Sequence, residues 1–274
     1  MRELKEYLSK YISIFRISFA QEFAYKLNFV MWRVRNVIQV FVVFYFWDTA
    51  FSESQSTIFG YDRAKILTYT FGILLVRAVV LSARAVDVSG QIANGDLSNL
   101  LLKPFGFMKY WFTRDLSSKS LNLMFAVGET SVLFFVLKPP LFLQTNGYLL
   151  LEFMIFLVLA TILFYLILFL VNMVAFWMPE NGWAAQFLFI VIITEFLSGG
   201  TLPLDIFPES VQMILRMLPF GYLIFFPIQV YLGKISQSII FQGFAIEVFW
   251  ILILLFLVKS VWQKGLKNYA SEGR

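Results

Sequence analysis

Residues 148–178 form a run of 31 residues with one charged side chain, Glu152. A bilayer's hydrocarbon core is about 30 Å thick, so a helix needs roughly 20 apolar residues to cross it. A run of this kind commits the chain to a membrane. Five further apolar stretches occupy residues 29–51, 66–83, 120–137, 183–197 and 239–261. The 148–178 stretch exceeds one straight crossing and is expected to tilt or to extend past the membrane. The 183–197 stretch is short. Composition agrees: 59% of residues are hydrophobic and 14% charged, against roughly 45–50% and about 25% in soluble domains. The predicted fold class is an all-α integral membrane protein with six transmembrane helices, forming a single membrane domain over residues 1–274.

The sequence contains no Cys and no His. Disulfides, thiolate catalysis, imidazole bases and zinc sites built from Cys or His are therefore excluded. Acidic residues are scattered singly, so no metal site is assigned. The net charge of +5 sits in loops between apolar spans rather than in one stripe. It reads as membrane topology, and no nucleic-acid partner is expected. The opening residues MRELKEYLSK lack a short apolar core, so no cleaved signal peptide is expected.

Basic residues set the orientation. Arg2, Lys5, Lys10, Arg16 and Lys26 lie in the N-terminal arm. Arg84, Lys103, Lys109, Arg114 and Lys119 follow the second stretch, and Lys259, Lys264, Lys267 and Arg274 close the chain. The other side carries only Arg63, Lys65, Lys138, Arg216 and Lys234. The positive-inside rule places both termini in the cytoplasm, as an even number of spans requires. Within residues 1–27, Leu4, Leu8, Ile12, Phe15 and Phe19 recur at helical spacing, with Glu3, Glu6, Lys10 and Ser13 on another face. This pattern predicts an amphipathic helix in the membrane interface, or one packed on protein.

Two segments depart from the spanning pattern. Residues 86–105 are too polar to cross. Gly95-Asp96 predicts a turn, followed by a short helix that Pro104 stops. Residues 198–234 carry Gly199, Gly200, Pro203, Pro208, Pro219 and Pro227. Breakers at this density are tolerated at membrane depth only where backbone is buried in protein or lines a cavity. Two half-helices, near 209–218 and 222–231, are expected to dip in from the outer face and return; the alternative is an external loop lying on the membrane, which their apolar content disfavours.

This order of elements resembles the membrane subunit of a type-2 ABC exporter. "IANGDLSNLLLKPF" is similar to that family's intracellular-loop pattern. "SGGTLPLDIFPESVQMILRMLPFGYLIFFPIQVYLG" is similar to its pattern after the fifth span, and "WQKGLKNYASEG" resembles the tail of the DUF990-like branch of ABC-2 permeases. The resemblance covers essentially the whole chain. It implies a permease without an ATP site, and the chain lacks G-x-x-x-x-G-K-[ST]; the nearest approach, at Gly233-Lys234, has Ile228 where the first Gly should stand. It further implies an ABC ATPase partner in two copies, carrying ATP and Mg, and a second permease chain, identical or a sister. No cofactor is expected on this chain. The implied setting is a bacterial inner membrane, and the implied substrate is hydrophobic or amphipathic. By the same resemblance Gln91, Asp96, Leu97, Leu100, Leu101 and Lys103 belong to a coupling helix that enters a cleft in the ATPase.

Charged residues inside the spans mark further candidates, since each costs about 2.5–3.5 kcal/mol at the bilayer centre. Arg33 and Arg35 are expected to snorkel from the inner end of the first span, and Glu152 and Glu247 to sit near headgroups. Arg77 and Glu129 lie about 10 and 15 Å from the inner face by helical rise. They are expected to pair across the hairpin of spans two and three, or to contact substrate. Glu195 is expected at the outer exit, or capping freed backbone at the Gly199-Gly200 break. A lipid-modifying membrane enzyme and an ATPase-independent transporter are the alternatives. The first lacks clustered catalytic groups. Neutralising Asp96 and Lys103 distinguishes both from the exporter.

Overall fold

The computed structural model describes residues 2–22, 26–52 and 57–269. Helix α1 (Arg2–Glu22) precedes α2 (Lys26–Ser52) and α3 (Arg63–Val80). Two short helices follow, α4 (Val88–Ala93) and α5 (Leu97–Leu101), then the long α6 (Phe107–Leu137) and α7 (Gly147–Asn172). Next come α8 (Gly182–Phe187), a π-helical stretch Leu188–Thr194, and one turn, α9 (Glu195–Leu197). Helices α10 (Glu209–Met217) and α11 (Phe225–Leu232) lead into α12 (Gln237–Asn268). No β-strand occurs among the described residues.

Three segments are long and apolar enough to cross a membrane: α6, α7 with its extension to Phe176, and α12. Joining α3 to residues 85–93 across a 51° bend makes a fourth. Helix α2, interrupted by Arg33, Arg35 and Asp48, and the short 182–197 segment fall outside that set. The chain is an all-α, multi-pass membrane protein.

The expected 120–137 stretch is only the C-terminal part of α6, which starts 13 residues earlier. Residues 107–119 contain no Gly or Pro, so nothing breaks the helix before Gly106, its N-cap. The π-helical turn interrupts the fifth stretch, where Thr194 Oγ1 donates to the Phe189 carbonyl five residues back (2.8 Å).

Helix α7 is the centre of the bundle. Its most apolar window is 61% buried, against 17% for α6 and 28% for α12. Phe156, Ala160, Leu163, Phe164 and Leu168 form its buried stripe, at the i, i+4, i+7, i+8 spacing of a helix face. On α6, Met124, Val127, Val132 and Phe135 point outward. In lipid an outward apolar face needs no protein cover, because acyl chains are as apolar as these residues.

Helix α1 packs on α6. Its inward stripe is Tyr11, Ile14, Phe15, Ser18 and Glu22, whereas Leu8, Ile12 and Ile17 are exposed. The expected single apolar face therefore divides, one stripe meeting protein and another left for lipid. The side chains of Glu3 and Leu4 lie outside the described residues, as do residues 270–274 of the tail motif.

Candidate functional site

The segment between α3 and α6 is folded onto the basic end of the bundle. Ala85, Val88, Ile92, Leu97 and Leu100 are buried. The chain reverses at Gly95, which has φ +81°, a conformation that favours glycine. Four other elements hold the segment. Lys10 of α1 donates to the Pro104 carbonyl (2.9 Å). Asp115 of α6 accepts the N–H groups of Arg84 (2.6 Å) and Ala85 (2.7 Å). Gln186 of α8 donates to the Val86 carbonyl (2.8 Å) and to Ser89 Oγ (2.5 Å). Tyr269, just past α12, donates to the Gly95 carbonyl (2.5 Å) and accepts the Ser98 N–H (3.2 Å). The N-terminal helix and the tail thus meet the same segment at the same end.

This fixing decides what the segment shows to a partner. Leu97 is 0% exposed and Leu100 8%, so these two residues anchor the segment to its own chain. The expectation that they fill a partner's cleft is corrected: their spacing suited either face, and burial chose the inner one. Outward stand Asp96, Leu101 and Lys103, together with Leu102, which is 85% exposed. Gln91 is half-buried.

Within the bundle the charges pair differently from the expected Arg77–Glu129 bridge. Glu129 binds Arg33 of α2 in a fork, Nε to Oε1 at 2.6 Å and Nη2 to Oε2 at 2.5 Å. Arg33 also reaches Asn122, and its side chain is 8% exposed, so it does not snorkel. Arg77 bridges to Glu195 and donates to Gln39 (2.9 Å). Arg35 reaches the other Glu195 oxygen at 3.2 Å. Depth along a helix is legible from rise, but direction around it is not. Arg77 shares its face with Thr70, Ile73 and Leu74, which with Asn36, Gln39 and Gly200 enclose a small cleft against α2. Glu129 lies on the α6 face of Leu121 and Phe125, which with Val34, Val37 and Phe41 of α2 lines an apolar groove of about 480 Å³. Glu247, expected near a headgroup, is fully buried ten residues into α12, and neither of its oxygens has a hydrogen-bond partner among the described residues. Glu152 accepts from Gln237 at the start of α12.

The chain matches a family model described as "ABC-2 family transporter protein" over residues 37–273. It belongs to the ABC-2 transporter family. No curated protein matches it.

In this ABC-2 chain the breakers after α9 each end or start a helix. Pro208 caps α10, Pro219 caps the turn Phe220–Tyr222, and Pro227 falls in the first turn of α11, where no N–H is missed. Pro203 precedes the turn Leu204–Ile206. Freed backbone is satisfied from neighbours: the Gly199 carbonyl accepts from Tyr69 (2.7 Å), and the Ser198 carbonyl from the Phe225 N–H (2.9 Å). Those donors, not Glu195, cap the break. Farther out, Asp205 accepts from Tyr61 (3.0 Å) and pairs with Lys234 (3.0 Å), while Gln229 donates to Tyr61. This knot joins the 198–234 segment to the start of α3.

Gly199 has φ +78°, and a Cβ there would lie 2.7 Å from Phe225 Cβ and 2.8 Å from Tyr69 Oη. Gly199→Ala is expected to cost about 1–3 kcal/mol of stability, read as a lower melting temperature of the detergent-purified chain. An unchanged melting temperature would mean that the break is not packed in this way.

Proposed function

We propose that this chain is the permease subunit of an ATP-driven exporter. A separate ABC ATPase, present in two copies and holding ATP and Mg, docks on the basic end of the bundle. A second permease chain, identical or a sister, completes the transporter. Both termini face the cytoplasm of a bacterial cell. One observation carries this reading: residues 94–104 present Asp96, Leu101, Leu102 and Lys103 outward on a base held by α1, α6, α8 and the tail. An exposed apolar pair beside two opposite charges suits a cleft on a partner protein. A rigid base lets force on that pair reach the spanning helices. Closure of the ATPase dimer on ATP shifts the permease between access states through differential affinity for the two.

A hydrophobic or amphipathic substrate is the class we favour. The α2–α6 groove supports it, being almost wholly apolar apart from the Arg33–Glu129 pair and Glu22, and within the roughly 300–1,000 Å³ of small-molecule sites. The 198–234 pair, dipping in from the outer face, forms the outer closure of the pathway.

The test is purification of the tagged chain from its native host in mild detergent, with bound proteins identified by mass spectrometry. A stoichiometric soluble protein with a P-loop is expected. A chain that purifies alone at every detergent strength would contradict the reading and favour an ATPase-independent transporter.

A further inference from the structure

Between α3 and the coupling segment the backbone breaks. Helix α3 ends at Val80, and the next helical turn begins at Ala85 after a bend of 51°. Such a break leaves carbonyls at the end of one helix and N–H groups at the start of the next without helical partners. Here two side chains one turn apart on α6 supply them. Lys119 Nζ donates to the Val80 carbonyl (3.0 Å) and to that of Ser82. Asp115 Oδ1 accepts the N–H groups of Arg84 and Ala85. Asp115 is 0% exposed and Lys119 4%. A cation at a helix C-terminus and an anion at a helix N-terminus each complement the local dipole. From the other side Glu22, the last residue of α1, grips the Arg84 guanidinium at 2.5 and 2.8 Å.

We propose that Asp115 and Lys119 are positioning residues that bolt the hinge between α3 and the coupling segment onto α6. A push on α4 and α5 is then delivered into α6 as a rigid lever, rather than dissipated by bending at residues 81–84. This inference rests on the permease reading above. The order of the two charges is the discriminating feature: the cation must face the carbonyls and the anion the N–H groups. An ordinary i, i+4 ion pair on a helix would tolerate exchange of its two charges far better.

The chain has no native Cys, so introduced cysteines carry spin labels without background. Labels are placed at Gly90 on α4, Met124 on α6 and Tyr148 at the start of α7, all exposed and none within residues 94–104, in the co-purified complex in nanodiscs. Without nucleotide, the Gly90–Met124 distance is expected to be single and narrow. It stays narrow in Asp115→Asn, whose amide oxygen still accepts both N–H groups. It broadens with loss of the single peak in Asp115→Leu and in the exchanged variant Asp115→Lys/Lys119→Asp. A narrow peak in both of the latter overturns the proposal. If the exchanged variant does not fold, the Asn/Leu comparison decides alone. With ATP and vanadate, the Gly90–Tyr148 and Met124–Tyr148 distances are expected to shift together. A shift of the first without the second overturns the lever. If no distance responds to nucleotide, the ATPase reading fails, while the nucleotide-free comparison still judges the hinge.

Discussion

Glu195→Ala is expected to be among the most destabilising single substitutions in the chain. Glu195 holds Arg77 on one oxygen and Arg35 on the other. The Arg77 side chain is 11% exposed, so removal of the carboxylate strands a buried cation between α2, α3 and the Gly199-Gly200 break. Breaking a buried pair from one side costs about 3–5 kcal/mol. Arg35, 45% exposed, adds little, because exposed pairs are worth about 0–1 kcal/mol. The variant is expected to lose a large part of its folded yield in detergent. Replacing both partners, Arg77→Met with Glu195→Met, is expected to restore most of the stability, since apolar substitutes for a buried pair are often neutral. A Glu195→Ala melting temperature equal to that of the parent would show that Arg77 finds another counter-charge.

The second large effect separates stability from coupling within one short helix. Leu97→Ala removes a fully buried side chain and is expected to cost about 2–5 kcal/mol, the range for large-to-small core changes. Leu102→Glu, at a site 85% exposed, is expected to leave the melting temperature of the isolated chain unchanged. In the assembled transporter it places a charge in the proposed ATPase cleft. Retention of the ATPase through purification is expected to fall by ten-fold or more, an order-of-magnitude figure from one desolvated charge of about 1.4 kcal/mol or above. Equal retention of the ATPase by Leu102→Glu and the parent would remove Leu102 from the interface.

These contrasts show where the sequence was legible. The runs of apolar residues gave the membrane class, because bilayer thickness fixes how long such a run must be. Turns at Gly95 and after Gly199 were readable because few other residues take those conformations. Helix rotation was not readable. Helical rise puts Arg77 and Glu129 within about 5 Å of one another in depth, yet their side chains point to different neighbours, and Glu195 came to Arg77 from a segment 118 residues away. Leu97, Leu100, Leu101 and Leu102 put leucines on more than one side of a short helix, so only the packed structure separates anchor from presented face. Asp115 and Lys119 had a visible signal, two opposite charges one turn apart on one helix. Lys119 entered only as one of the basic residues that set orientation, because its partners are backbone atoms, which a sequence does not display.

The central claim is that residues 94–104 meet an ABC ATPase. It is tested most directly by placing a photo-crosslinking amino acid at Leu102 and, separately, at Phe135, an exposed residue near the opposite end of α6, in cells that express the whole transporter. The account predicts an adduct between this chain and a P-loop ATPase from Leu102 and none from Phe135. Absence of that adduct from Leu102, with the chain folded and in the membrane, would contradict it.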